Sequence, residues 1–264
     1  MTVRAPHPLL RRMVTPYHGY HYAGMDPGIH HGLPSTTLTV VIAFDEPLDV
    51  AWAHDDASRV KQWATAAGLH DGPALIRHDG HQHGVQFDLT PHGARSILGM
   101  PAGELKGTII PLEEVVPFGR LYDEVAGAPD WQTRFDLLDE ALLDPASRGE
   151  AVRSELAWAW QRLHRNPAQR IDALARELGW SRRHLASAFT SEYGVGPKQA
   201  ARLVRFKRAR DLLARGRSIS CVAAETGFAD QAHLTREWRN LAGCTPGEWL
   251  RSEFPFLQDE AAPA

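Results

Sequence analysis

Residues 171–249 carry one pattern twice, and no other feature restricts the fold of this chain as strongly. The first copy reads Ile171, Leu174, Ala175, Glu177, Gly179, Trp180, Ser181, His184, Leu185, Phe189, Gly194 and Pro197. The second reads Ile219, Val222, Ala223, Glu225, Gly227, Phe228, Asp230, His233, Leu234, Trp238, Gly243 and Pro246. The copies align at an offset of 48 before the turn and 49 after it, so one extra residue sits in the second turn. Each copy spells a short helix, a tight glycine turn and a second helix, which is a helix-turn-helix. Gly179 and Gly227 supply the left-handed turn residue, where a Cβ would clash. Trp180 and Phe228 are expected to anchor the turns in the core. Ser181 and Asp230 are the expected caps, each accepting from a backbone N–H of the helix that follows.

Between the copies, Pro197–Arg215 reads as one helix that opens with proline at its first position and stops before Gly216. Leu203, Phe206, Ala209, Leu212 and Leu213 form its apolar stripe, and Lys198, Arg202, Arg205, Lys207, Arg208, Arg210 and Arg215 its charges. Nineteen residues at ~1.5 Å each give about 28 Å. That approaches the ~34 Å between successive major grooves on one face of a duplex. The charges fit either a DNA-facing strut or a solvated helix face. Residues 166–254 hold 15 Lys/Arg against 9 Asp/Glu, whereas the rest of the chain holds 14 against 23. A basic module on an acidic partner fits a nucleic-acid reader attached to something else.

The second copy closely resembles the AraC/XylS family of bacterial transcription regulators. The resemblance rests on Ile219 to Gly227, on Phe228-Ala-Asp-Gln231, on His233-Leu-Thr-Arg236-Glu-Trp238-Arg239 and on Gly243-Cys-Thr245-Pro246. It spans about residues 166–254 and implies a seven-helix DNA-binding domain, double-stranded DNA as partner and promoter-specific control, with activation as the expected sign and RNA polymerase as a further partner. It also implies base contacts at Arg182, Arg183, Ala186 and Ser187 in the first unit and at Gln231, Ala232, His233 and Arg236 in the second. Arginine suits guanine O6 and N7, and glutamine suits adenine. Arg182 and Arg183 on phosphate instead would position without specifying. Ala186 and Ala232 depart toward small apolar residues, for a thymine methyl or for no contact. Leu234 and Trp238 stand where phenylalanine is common.

The N-terminal half reads as β-rich, which makes the fold class α+β: a small barrel or sandwich with helices, followed by an all-α domain of two helix-turn-helix units joined by a linker helix. Strands are expected at Thr36–Phe44, Ala74–Ile76, Val85–Leu89 and Gly107–Leu112. Thr90, Pro91 and Gly99 read as cap, first residue and stop of a short helix. Two amphipathic helices follow, Asp130–Leu143 (Trp131, Phe135, Leu138, Leu142) and Ser147–His164 (Val152, Leu156, Trp160, Leu163). They are expected to close over the β domain or to form a homodimer interface. The expected organisation is 1–125 for a regulatory domain, 126–165 for the helical pair, 166–254 for the DNA-binding domain and 255–264 for a frayed tail.

Cys221 and Cys244 cannot staple a framework and are expected to be small core residues in a reducing compartment. No signal peptide is read, and the longest apolar stretch, near Val40–Phe44, is too short to span a bilayer. A soluble, cytoplasmic protein with no membrane partner is expected.

Histidines crowd the N-terminal half. His81 and His83 have strand spacing, with His78 three residues upstream of His81, a set able to hold a divalent metal as in a cupin-like barrel. Surface histidines are the plainer reading. The segment Gly84–Gly99 is similar to effector domains of some AraC-type regulators, which implies sensing or self-association. A small organic effector walled by Trp52, Trp63 and Phe87 is the companion expectation, with no other cofactor. No nucleophile-base order, phosphate loop or CxxC pair supports an enzyme. The alternative carried forward is a metal-dependent cupin-like enzyme or metal sensor with a DNA-binding appendage.

Overall fold

The computed structural model describes residues 1–115 and 120–251. An antiparallel sheet of six strands runs in the order β1 (Thr2–Arg4), β2 (Tyr17–Tyr22), β9 (Gln82–Leu89), β4 (Leu38–Ala43), β7 (Ala64–Ala67) and β10 (Ile109–Pro111). A second antiparallel sheet of four runs β3 (Gly28–Gly32), β8 (Ala74–His78), β5 (Leu48–Trp52) and β6 (Asp55–Gln62). Successive strand residues point to opposite faces, and the large sheet uses this to make two environments. Leu38, Val40 and Ile42 pair with Leu89, Phe87 and Val85, and all six are buried on the helix-covered face. Thr39, Val41, Gln86 and Asp88 look the other way, toward the small sheet. There Val50, Trp52 and Ala74 form a minor core, and a cavity of about 210 Å³ remains between the sheets.

Helix α1 (Pro91–Gly93) starts as expected: Thr90 accepts from the Gly93 N–H at 3.0 Å. It continues as a wider turn over Ala94–Leu98 and stops at Gly99, whose φ is 69°. Helix α2 (Leu121–Gly127) leads into α3 (Trp131–Arg148), capped by Asp130. Tyr17 fastens α3 to the sheet. Its ring stacks on Phe135 at 5.6 Å and meets Phe87 edge-on at 5.5 Å, and its hydroxyl donates to Asp139 at 2.8 Å. Burial, then that hydrogen bond, pushes the phenol pKa far up. Arg4 adds ion pairs to Asp136 and Asp139.

The two amphipathic helices differ from the sequence expectation. Helix α3 does not end at Asp144–Pro145 but runs through Pro145 to Arg148. The missing proline N–H falls near the helix end, where few bonds depend on it, while Leu138 and Leu142 hold the helix from below. Helix α4 begins only at Ser154 and ends at Arg165. The segment before it crosses the turn after α1: Ser96 donates to the Glu150 carbonyl at 3.1 Å, and a Cβ at Gly149 would overlap the Ser96 carbonyl. The helices do not act as a pair. Helix α3 belongs with the sheet, whereas α4 packs Trp160 against Phe189 and Tyr193 at 5.7 and 4.3 Å.

The C-terminal half continues with α5 (Ile171–Glu177), α6 (Arg182–Tyr193), α7 (Pro197–Ala214), α8 (Ile219–Glu225), α9 (Gln231–Ala242) and a last helix that opens at 246. Seven helices are reached among the described residues only when α4 is counted with them. The tail assigned to 255–264 lies outside the described residues. Cys221 is exposed, against the core role expected, whereas Cys244 is half-buried and packs against the core. No helix among the described residues is long and apolar enough to cross a membrane.

The halves are joined by polar and close-packed contacts. Arg95, in the turn after α1, forks onto Glu192 near the end of α6 at 2.6 and 3.3 Å. Those hydrogen bonds hold the Arg95 guanidinium above its ordinary pKa. Gln199 of α7 donates to Asp71 at 2.8 Å. A Cβ at Gly103 would overlap the Ser191 carbonyl. Glu192 is 5% exposed and Arg95 22%. Glu192→Ala is therefore expected to lower unfolding free energy by about 2–3 kcal/mol, below the ~3–5 kcal/mol of a fully buried broken pair, because water reaches the orphaned arginine. Urea denaturation measures this, and an unchanged midpoint would contradict the junction.

Candidate nucleic-acid interface

The duplicated sequence folds as duplicated geometry. Gly179 and Gly227 sit at φ 68° and 77°, and the Trp180 and Phe228 N–H groups donate back to Ala175 and Ala223 at 2.9 and 3.0 Å. Ser181 accepts from His184 N–H at 3.1 Å and Asp230 from His233 N–H at 2.6 Å, starting α6 and α9. Both helices end on a glycine with φ 74° and ψ −10°, Gly194 and Gly243. Leu185 and Phe189, like Leu234 and Trp238, are buried on the inner faces. The anchors are unequal. Phe228 is buried, whereas Trp180 is half-buried beneath the Arg153 guanidinium at 5.1 Å.

The sequence-predicted contact residues fall on the outer faces of these helices. Arg182, Arg183, Ala186 and Ser187 are all exposed on α6, as are Gln231, Ala232 and Arg236 on α9. Arg182, Arg183 and Arg236 form no ion pair among the described residues, so their guanidinium groups are available to an external anion or base edge. His233 is different. It is half-buried, its ring meets Phe228 edge-on at 5.4 Å, and its Nδ1 accepts from the Ala229 N–H at 3.2 Å. Ala229 is the extra residue of the second turn, so His233 satisfies the amide that the insertion creates. The clue in the sequence was the one-residue change of offset.

Three of the charges of α7 tie it to its neighbours instead of facing DNA or solvent. Arg202 pairs with Glu237 of α9 at 2.6 Å. Arg205 lies over the Phe228 ring at 5.4 Å, Arg208 donates to the carbonyls of His164 and Arg165, and Lys207 pairs with Asp211 at 2.7 Å. Only Lys198 and Arg215 of the seven are exposed. Arg202, Arg205 and Arg208 thus bolt the second unit and α4 to the linker. A helix with a buried stripe this wide has little solvated face left for them to occupy.

The remaining candidates divide. Trp52 lines the inter-sheet cavity, with its indole N–H donating to the Gly107 carbonyl at 2.7 Å. Phe87 lies in the helix-side core beside Tyr17, and Trp63 is 42% exposed near Tyr122, outside the inter-sheet cavity. His70 also lines the inter-sheet cavity, and burial pushes its pKa down, which leaves a neutral imidazole there. His78, His81 and His83 line a second cavity of about 360 Å³. They do not converge: His78 is on the small sheet and His81 precedes β9, close to Asp79 at 3.5 Å, while His83 meets Asp45 at 2.8 Å.

His233→Ala is expected to lower stability by about 0.5–1.5 kcal/mol through the lost turn bond, independently of any DNA. Thermal unfolding of the DNA-free protein tests it, and an unchanged transition would show that the histidine does not hold the turn.

Residues 174–252 match the family described as "Helix-turn-helix domain". The HTH-type transcriptional regulator GlxA of Rhizobium meliloti is 29% identical over 203 residues, covering 70% of this chain and 61% of GlxA. PqrA of Proteus vulgaris is 30% identical over 99 residues, covering 37% of this chain and 81% of PqrA. The chain spans less than two thirds of the length of the first curated relatives it matches. Among solved structures, an apo single-residue variant of ToxT from Vibrio cholerae superposes with a TM-score of 0.54 at 12% identity, over 94% of this chain and 99% of ToxT. ToxT has also been solved with an unsaturated fatty acid bound. The ToxT likeness shows the fold, two sheets followed by a helical C-terminal half. The matched relatives are regulators rather than enzymes, which sets aside the cupin-like enzyme. With its twin glycine turns, caps and outward arginines in register, the chain belongs to the AraC/XylS family of transcription regulators, whose helix-turn-helix module binds DNA.

Proposed function

We propose that this protein activates transcription by laying α6 and α9 into successive major grooves of one operator, under control of a small ligand held by the N-terminal half. The carrying observation is the exposure of Arg182, Arg183 and Arg236, which form no ion pair among the described residues, on two helices with matched caps. Helix α7 separates the units by 18 residues, about 27 Å at ~1.5 Å each. That span suits neighbouring grooves. Arg236 and Gln231 read base edges in the second unit, Ala232 meets a thymine methyl, and His233 chiefly keeps the turn. Arg182 and Arg183, with Ala186 and Ser187, form the first reading face. Recruitment of RNA polymerase follows from activation.

Arg236→Ala is expected to weaken specific operator binding by about 1–3 kcal/mol and to relax one base position. Gel-shift titrations against operator and random DNA measure this. Equal losses on both would make Arg236 a phosphate clamp. Footprinting that protects one groove only would overturn the two-groove reading.

The ligand reading rests on the inter-sheet cavity. Arg210 of α7 and Trp249 line it together with Thr39, Gln86 and Trp52 from the sheets. A ligand there touches both halves at once, so its binding energy depends on how they sit together. A small organic acid whose carboxylate meets Arg210 suits this lining, in keeping with the fatty acid held by ToxT. A medium-chain fatty acid is expected to raise the melting temperature of the wild type but not of Arg210→Ala. An equal rise in both would place the ligand elsewhere.

A further inference from the structure

A set of side chains at the rim of the large sheet has no part in DNA reading or in the inter-sheet cavity. Strands β2 and β9 pair His21 directly with His83. Residues opposite each other in an antiparallel pair share a face, and the two imidazoles stack with centroids 4.4 Å apart. Strand β4 brings in the third member. The Phe44 N–H donates to the His83 carbonyl at 2.9 Å, which fixes where the chain leaves the sheet, and Asp45 follows with its carboxylate 2.8 Å from His83 Nδ1. One ligand atom from each of His21, Asp45 and His83 lies within 4.8 Å of the others. The His83 ring is clamped edge-on by Phe44 at 5.0 Å and Trp131 at 5.7 Å, and its side chain is only 16% exposed. Asp45 and His21 face solvent and the 360 Å³ cavity.

We propose that His21, Asp45 and His83 bind a divalent first-row transition metal ion, zinc being the representative. Two imidazoles and one carboxylate are a donor set suited to such ions, whereas magnesium and calcium favour oxygen ligands alone. Four-coordinate zinc takes bonds of ~2.0–2.1 Å to nitrogen and ~2.0–2.2 Å to oxygen. Tetrahedral angles then put ligand atoms about 3.4 Å apart. His83 Nδ1 and the Asp45 carboxylate are 2.8 Å apart and no two of the three ligand atoms are more than 4.8 Å apart, so side-chain rotations can close the set on an ion. The aromatic walls restrict the His83 ring, as an outer shell does for a metal ligand. The fourth position opens into the cavity and is left to water or a small anion. The site differs from the histidine cluster anticipated from spacing: His83 is shared, and His21 and Asp45 replace His78 and His81. A bound ion would tie β2, β9 and the end of β4 together beside Trp131, the first residue of α3.

The test is isothermal titration of chelator-treated full-length protein with zinc chloride and, separately, magnesium chloride. One equivalent of zinc and no magnesium heat are expected. His21→Ala, Asp45→Asn and His83→Ala are each expected to lower zinc affinity by about tenfold or more, and His81→Ala to leave it unchanged. Asp45 is exposed, so Asp45→Asn keeps the test valid if His83→Ala fails to fold, and circular dichroism checks the fold of each variant. Cobalt(II) is expected to give visible d–d bands without thiolate charge-transfer absorption, and Asp45→Asn to lose them. Absence of stoichiometric zinc binding, binding that survives all three substitutions, or loss on His81→Ala in place of His21→Ala would each overturn the site.

Discussion

The burial of α7 is the constraint on which the DNA-reading half depends. Leu203, Phe206, Ala209 and Leu213 sink into the shared core, and Phe206 meets Trp238 of α9 at 4.8 Å. The arginines flanking that stripe then act as ties rather than as a solvated face. Arg202 reaches α9, Arg205 covers the second turn and Arg208 holds the end of α4. A helix fixed on several sides carries a reading unit at each end as parts of one body.

The same helix also joins the helix-turn-helix units to the β domain. Arg210 leaves α7 for the inter-sheet cavity, and Trp249, which packs on Trp238 at 5.2 Å, lines that cavity too. Arg95 and Glu192 make a second tie, between the turn after α1 and the end of α6. Each reading helix is thus one or two side chains away from the β domain. Nothing longer than these contacts is required for a ligand between the sheets to bias how α6 and α9 are presented. The His21–Asp45–His83 set is at a different edge of the large sheet and bears on α3 through Trp131, so the two sites address different helices.

The repeat, its glycine turns and its caps were legible in the sequence because they are local. A left-handed residue needs glycine, and a helix start needs an oxygen within three residues. Thr90 was legible for the same reason. The end of α3 was not, because apolar contacts at Leu138 and Leu142 outweigh the proline that should have stopped it. The start of α4 was not, because the Ser96–Glu150 crossing that delays it joins segments far apart in the chain. His81 and His83 looked like a pair by spacing, but β9 begins after His81 and the alternation it implied never starts.

Sequence alone determined the family, the two helix-turn-helix units and the faces on which their arginines lie, since 3.6-residue periodicity and cap chemistry are properties of short segments. Tertiary structure alone decided that Arg202, Arg205 and Arg208 of α7 are structural, that His233 serves its own turn and that Arg210 lines the cavity. It also decided that His21 and Asp45, distant in the chain, meet His83. Each of those outcomes depends on which surfaces come into contact, and that is set by the whole core rather than by any one stretch of it.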